Sequence, residues 1–283
     1  MNSPIAILTD FGSCDPFVGI MKGVISGINP GATLIDLNNH MPPGDIQRAA
    51  ITLWGSRHYF PKGTIFLTVV DPGVGTRRRP IIAQADDQTF IGPDNGVFSF
   101  VFGENAQAWE LANPDLMLPN PGNTFHGRDI FAPAAAHASI GIPGPEFGAA
   151  VLDLELLPAP KLDSPSPGIL RGEILYADHF GNLLTSLGQF HLLENELWDF
   201  KPWIGGAPSQ TIDAAKSFVE LSNGVKLPWV KTFGEIPPGE CAALIGSSGL
   251  IEIVANRQSA AEMLELSGGE NIKLYLDTDY QDL

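Results

Sequence analysis

Three short stretches of the sequence carry residue types that could do chemistry. Asp71-Pro72-Gly73-Val74-Gly75-Thr76-Arg77-Arg78-Arg79 sets one carboxylate, two glycines and three guanidinium groups close together. Thr9-Asp10-Phe11-Gly12 adds a second carboxylate, and Phe125-His126-Gly127-Arg128-Asp129 adds an imidazole. A carboxylate beside guanidinium groups holds polar ligands through charge-assisted hydrogen bonds. An imidazole can orient water or move a proton near neutral pH. Each group also has a plainer reading: Asp71 as a turn cap, the arginines as a solvated run, His126 as a polar loop contact. Neither a G-x-G-x-x-G turn nor a phosphate loop ending in Gly-Lys-Ser/Thr occurs here, so nothing points to NAD or ATP.

The elements around these stretches follow from apolar patterning. Ile5-Ala6-Ile7-Leu8 reads as a short strand that Thr9-Asp10 ends. Asp15-Pro16 is expected to cap and open a helix bearing Phe17, Ile20, Met21, Val24, Ile25 and Ile28. Thr33 to Leu37 is the next strand, and Asp45 opens a second helix with Ala49, Ala50, Leu53 and Trp54 on its apolar face. The run from Thr64 to Val70 is the central buried strand, with Asp71 at its carboxyl end, where open α/β sheets bind ligands. Further strands are expected at 81–84, 89–91 and 97–102, and a helix from about Arg128 through His137. The order strand–helix–strand favours parallel packing.

Leu157 to Gly168 is rich in proline, which weakens helix and strand continuation. Beyond it the pattern changes to short strands at 169–176, 183–186, 217–221, 241–246 and 250–254, with 264–266 and 272–276 closing the chain. The expected organisation is therefore an α/β domain over 1–160 with a mostly parallel central sheet, a linker at 161–168, and a smaller β-rich, barrel-like domain over 169–283.

Composition narrows the classes of function. A formal charge of −16 disfavours nonspecific binding to nucleic acid or anionic membrane, while suiting a cationic substrate. Glycine at 31 and proline at 24 imply many defined turns. Cys14 and Cys241 stand far apart in sequence and form no metal or redox spacing. No signal peptide and no apolar run of about 20 residues is seen, so a reducing, cytoplasmic setting is expected.

The sequence closely resembles the S-adenosyl-L-methionine (SAM) hydroxide adenosyltransferases, the adenosine-forming SAM hydrolases. The resemblance rests on Thr9-Asp10-Phe11-Gly12, Asp71 to Arg78, Gly92-Pro93-Asp94-Asn95-Gly96, Phe125 to Pro133, Asp178-His179-Phe180-Gly181-Asn182 and Ser247 to Ile253, and spans nearly the whole chain. It implies an α/β domain followed by a β-rich domain that receives the adenine. It also implies a homotrimer with active sites between subunits, and SAM as substrate with no cofactor and no metal.

The same resemblance assigns residues. Asp71, Arg78 and His126 match the family's catalytic set: Asp71 would accept from ribose hydroxyls, Arg78 would favour hydroxide character, and His126 would orient water or move a proton. Which group takes the proton stays open at this point. Asp10 is placed near the methionine part of SAM, Asn182 at the adenine edge, and Ser247 at the methionine end. Glu252 and backbone groups including Val254 are further contacts, and Phe180 is either a stacking or a core aromatic. Gly246 departs from the asparagine that relatives commonly carry there. The related halogenating enzymes use fluoride or chloride in place of water. The fluorinating ones carry tyrosine and threonine at the positions of Asp71 and Val74, so these two residues argue for water.

Overall fold

The computed structural model describes residues 3–103, 105–193 and 197–276. The chain divides into two compact units, one ending at Leu157 and one beginning at Pro158. In the first, β1 (Ile5–Thr9), β2 (Leu34–Asn38), β3 (Ile65–Val69), β4 (Pro80–Ala85), β5 (Gln88–Pro93), β6 (Gln107–Glu110) and β7 (Ala150–Val151) form one sheet in the order β2-β1-β3-β5-β4-β6-β7. The pairings among β2, β1, β3 and β5 are parallel, and those from β5 outward through β4, β6 and β7 are antiparallel. Strands β1 and β3 are buried at every residue, as expected of strands covered on both faces.

Helices α1 (Phe17–Ile28) and α3 (Ala132–Ser139) share a core with alternate residues of those strands, Ile5, Ile7, Ile65 and Leu67. The intervening Phe66 stacks on Phe90 with ring centroids 5.5 Å apart. Helix α2 (Ile46–Ser56) starts as its sequence suggests: the Asp45 carboxylate accepts from Arg48 N at 2.9 Å. Helix α1 does not. Pro16 takes the cap position and no side chain caps the helix, leaving the expected Asp15 cap unmade. The strand expected at 97–102 is a series of turns. Asn95 Oδ1 accepts from Val97 N at 3.2 Å and Ser99 Oγ donates to Gly96 O at 2.6 Å, local bonds that compete with a sheet ladder.

The second unit is built from β8 (Leu162–Ser166), β9 (Ile169–Ala177), β10 (Leu183–Gly188), β11 (Phe190–Leu192), β12 (Leu197–Phe200), β13 (Gln210–Asp213), β14 (Phe218–Leu221), β15 (Lys226–Pro228), β16 (Cys241–Ile245), β17 (Leu250–Ala255) and β18 (Asn271–Tyr275). The main sheet runs β15-β14-β18-β9-β10-β17-β16, with β8 beside β9, and β11-β12-β13 form a small sheet. A bridge between Trp229 and Ala243 joins the segment after β15 to β16, so the sheet nearly closes on itself as a barrel. Strand β8 lies within the proline-rich stretch and pairs with β9 through an irregular register around Pro165. A short helix α4 (Ala260–Leu264), not anticipated in the sequence, is capped by Ser259, whose Oγ accepts from Glu262 N at 3.2 Å. Among the described residues no helix is long and apolar enough to cross a membrane.

Candidate active site

Strands β1 and β3 are parallel with Thr9 opposite Val69, so the chain leaves both at the same edge of the sheet. Asp10 follows β1 directly, and Asp71 follows β3 after Val70. Asp10 Oδ2 accepts from Gly44 N at 2.8 Å. Gly44 has φ +73°, a conformation that favours glycine, and the space beside its Cα is bounded by Pro72. Asn95 Nδ2 donates to Val70 O at 3.0 Å, tying the end of β3 to the turn that follows β5.

After Asp71 the chain folds back on itself: Val74 N donates to Asp71 O at 3.3 Å, and Thr76 Oγ1 to Gly73 O at 2.7 Å. The turn returns Arg78 to Asp71. Arg78 Nε lies 2.9 and 3.0 Å from the two carboxylate oxygens, and Nη2 also donates to Oδ2. Both side chains are almost out of solvent, 8% exposed for Arg78 and 5% for Asp71. The guanidinium carbon sits 5.3 Å from the Phe131 ring centroid. Arg78 Nη2 is also 2.8 Å from His126 Nδ1. The one buried side-chain polar atom of this cluster with no partner among the described residues is Arg78 Nη1.

The three consecutive arginines separate by partner. Arg77 is exposed. Arg79 turns away to Asp94, with Nε at 2.9 Å and Nη2 at 2.6 Å, and to Asp153 at 2.7 Å. That network fastens the Gly92–Gly96 turn, since Asp94 Oδ1 also accepts from Glu155 N at 2.9 Å.

His126 precedes a π-helical turn, Gly127–Phe131, that leads into α3. Such turns are over-represented at functional sites. Gly127 is needed for packing: a Cβ there would press on the Phe125 ring at 3.1 Å and on Met21 at 3.2 Å. Phe11, Phe17 and Phe125 meet edge to face with centroids 5.3–5.9 Å apart, joining the loop after β1 to the His126 loop. Asp129 braces the same loop by accepting from Gly122 N at 2.9 Å.

An arginine only donates, so His126 Nδ1 accepts and the ring is neutral with its proton on Nε2. Burial first and the Arg78 charge second hold the imidazole below its ordinary value of 6.5.

The second unit carries another polar cluster. Asp178 Oδ1 accepts from Phe180 N at 2.8 Å and from Asn182 N at 2.9 Å, while Oδ2 accepts from Asn182 Nδ2 at 2.9 Å. Asn182 is buried; Phe180 is 74% exposed, so it is a surface ring and not a core one. Glu252, on β17 opposite Leu184 and Leu244, is pushed up to about 7 by burial and then by the nearby Asp178 charge. Gly246 packs directly on the Glu252 carboxyl and leaves no room for a Cβ. Glycine at 246 is thus the residue that fits this glutamate.

Ser247 is exposed on the turn between β16 and β17, and the Ser248 Oγ beside it is buried without a partner among the described residues. The Val254 side chain is buried with Ile236, Ala242 and Leu244, so only its main chain is available to a ligand. Asp71, Arg78 and His126 are therefore in mutual contact, and Asp10 leaves the same sheet edge. Asn182 and Glu252 are linked through Asp178. The roles of Asp178, Gly44 and Asp129 were not foreseen from the sequence, although an aspartate before His-Phe-Gly-Asn carries the local signal of an Asx turn.

Comparison with known proteins identifies the family. The model of the SAM hydroxide adenosyltransferase N-terminal domain matches residues 5–148, and that of the C-terminal domain matches residues 172–273. A protein named (R)-S-adenosyl-L-methionine hydrolase from Thermus thermophilus is 39% identical over 284 residues, covering 96% of this chain and 99% of its own. A protein of the same name from Salinispora tropica is 35% identical, covering 95% and 97%. A crystal structure of an uncharacterized conserved protein from Thermotoga maritima superposes with a TM-score of 0.81 at 33% identity, covering 95% of this chain and 99% of that one. With both of its units matched in order, the chain belongs to the SAM hydroxide adenosyltransferase family.

Proposed function

We infer that this protein is an enzyme that hydrolyses SAM to adenosine and L-methionine by attack of water or hydroxide at C5′. The observation that carries this reading is the Asp71–Arg78–His126 cluster, with its ion pair almost out of solvent and one donor, Arg78 Nη1, unpartnered among the described residues. The sulfonium of SAM leaves as a neutral thioether, so no acid is needed to protonate it. What the reaction needs is an oxygen nucleophile held in line with the C5′–S bond. Orientation of this kind is worth about 7–11 kcal/mol in well-aligned reactions.

Each residue of the cluster then has a task. An oxygen bound at Arg78 Nη1 gains a charge-assisted hydrogen bond and acquires hydroxide character. Arg78 makes three hydrogen bonds to Asp71, whose carboxylate offers about four acceptor positions, and so leaves room for a ribose hydroxyl. The neutral His126 ring fixes the guanidinium through Nδ1 and keeps a second positive charge out of the cluster. Asp10 accepts from the substrate amino group. A halide would meet the Asp71 carboxylate, and Val74 has no hydroxyl to hold it.

The test is turnover of SAM in ¹⁸O-labelled water, with products separated by chromatography and weighed by mass spectrometry. Enzyme-dependent adenosine labelled at O5′, with unlabelled methionine, is expected. Absence of both products from folded protein that binds SAM would overturn the reading.

The complete site is proposed to form in a homotrimer, with Asn182, Phe180, Ser247, Glu252 and the Val254 main chain of a neighbouring copy receiving the adenine and methionine ends. This draws on the family resemblance and on the division of the assigned residues between two units. Mixing a His126→Asn chain with an Asn182→Ala chain in one oligomer tests it. Shared sites regain part of the activity, whereas sites made within one chain regain none.

A further inference from the structure

We propose that Asp178 is a positioning residue that fixes the orientation of the Asn182 amide, so that the second unit selects a 6-amino over a 6-oxo purine. The inference rests on the reading of Asn182 as the adenine contact and adds how that contact is oriented. Asn182 is engaged on nearly every polar atom by the same turn. Its main-chain N–H donates to Asp178 Oδ1 at 2.9 Å, its carbonyl accepts from Asp178 N at 2.8 Å, and its Nδ2 donates to Asp178 Oδ2 at 2.9 Å. The remaining acceptor is Oδ1, for which no partner exists among the described residues.

A carboxylate oxygen accepts and does not donate, so it can face only the nitrogen end of the amide. This settles which end is which on chemical grounds. The second Nδ2 hydrogen and Oδ1 are then left for a ligand, as a donor–acceptor pair in fixed order.

Such an edge complements the N1 edge of adenine, where the N6 donor stands beside the N1 acceptor. A 6-oxo purine reverses that order, with an oxygen acceptor in place of the amine and an N1–H donor in place of the acceptor, and so meets Oδ1 lone pair to lone pair. A freely rotating asparagine would reverse its ends and accept either base. Asp178 prevents that reversal.

Two further features hold the turn. Gly181 has φ +83°, and Ser259 fills the space where a Cβ would stand. Ala261 N donates to Gly181 O at 3.0 Å, which ties the turn to α4. The neighbouring Glu252 is pushed up to about 7 by burial and then by the Asp178 charge.

The test is calorimetric titration of the full chain with adenosine and with inosine. The parent should prefer adenosine on the order of 10- to 100-fold, the range of one well-formed bidentate base contact. Asp178→Asn keeps an oxygen for the two main-chain donors but offers an amide at the other position, so Asn182 can turn over. The adenosine-to-inosine ratio should fall to within about threefold of unity, as it should in Asn182→Ala. Asp178→Ser, which caps the turn without the second acceptor, gives the same readout if Asp178→Asn does not fold.

A parent that does not discriminate overturns the proposal. So does a folded Asp178 variant that loses affinity for both nucleosides equally while keeping the ratio, because that is a structural role only. A parent that makes adenosine from SAM yet fails these tests sinks this inference alone. One that neither turns over SAM nor binds adenosine sinks the reading beneath it.

Discussion

The two polar clusters solve opposite electrostatic problems. Around Arg78 the first unit pairs a cation with Asp71 and keeps His126 neutral, so the buried charges cancel. Around Asp178 the second unit brings two carboxyl groups together, and no ion pair engages either among the described residues; Glu252 is held up to about 7 instead. One cluster spends its hydrogen bonds on charge, the other on direction. The first suits reaction at a cationic centre. The second suits recognition of a neutral edge. Their responses to pH should also run in opposite directions.

The sharpest way to break this contrast is Arg78→Ala. On the proposed role of Arg78 Nη1 as the donor to the attacking oxygen, its loss should lower kcat by about 10²–10³-fold. Leaving Asp71 buried without its cation should cost about 3–5 kcal/mol in unfolding measurements. Arg79→Gln is the matching control: it loosens the Asp94 turn, so stability should fall by about 1–3 kcal/mol while kcat is retained.

His126→Asn comes next, with a loss of about 10²-fold in kcat. The parent's acid limb should lie below 6.5, because protonation would set an imidazolium against Arg78. Here the folded state disfavours the proton, so the stability this group contributes is full above 6.5 and is lost as pH falls through the lowered value. If the acid limb of kcat is unmoved in His126→Asn, the neutral-imidazole account fails.

Gly246→Ala probes the other cluster. A methyl group driven into the Glu252 carboxyl should destabilise the second unit by about 1–3 kcal/mol, read as faster amide exchange in β16 and β17 with the first unit's exchange unchanged. The smallest effect is expected from Glu252→Gln. Glu252 is raised from 4.5 to about 7 on folding, so the stability it contributes is present below 4.5 and is lost as pH rises through about 7. The variant should therefore gain on the parent by a few degrees in Tm at pH 8 and by little or nothing at pH 5. Equal shifts at both values would show that Glu252 is not held protonated.

Local sequence carried the parallel part of the fold because β1 and β3 are uninterrupted apolar runs ending in polar residues. It did not carry β12, β13 and β15, which are short and mix Trp198 and Leu227 with charged or polar neighbours. At 97–102 the apolar residues suggested a strand, but Asn95 and Ser99 bond to nearby backbone and fold the segment into turns.

Within the site, Asp71 and His126 stood out by type and setting. The arginine register did not, since Arg77, Arg78 and Arg79 are alike locally and differ only in the partners that tertiary structure supplies. The same holds for Glu252: its environment is made by Gly246 across the β16–β17 hairpin and by Asp178 on another strand end, contacts no local pattern encodes.

The π-helical turn before α3 has a consequence for chain length. Ala132 N donates to Gly127 O, five residues back, where a regular α-helix would reach back four. The extra residue shifts the angular phase of everything before it by about 100° relative to α3. His126 meets Arg78 in that shifted phase. Deleting a single residue from this turn would restore an ordinary helix, improve its backbone repeat, and swing the imidazole off the guanidinium. Helix regularity and site geometry are thus in competition here, and the phase error is what keeps the imidazole in place.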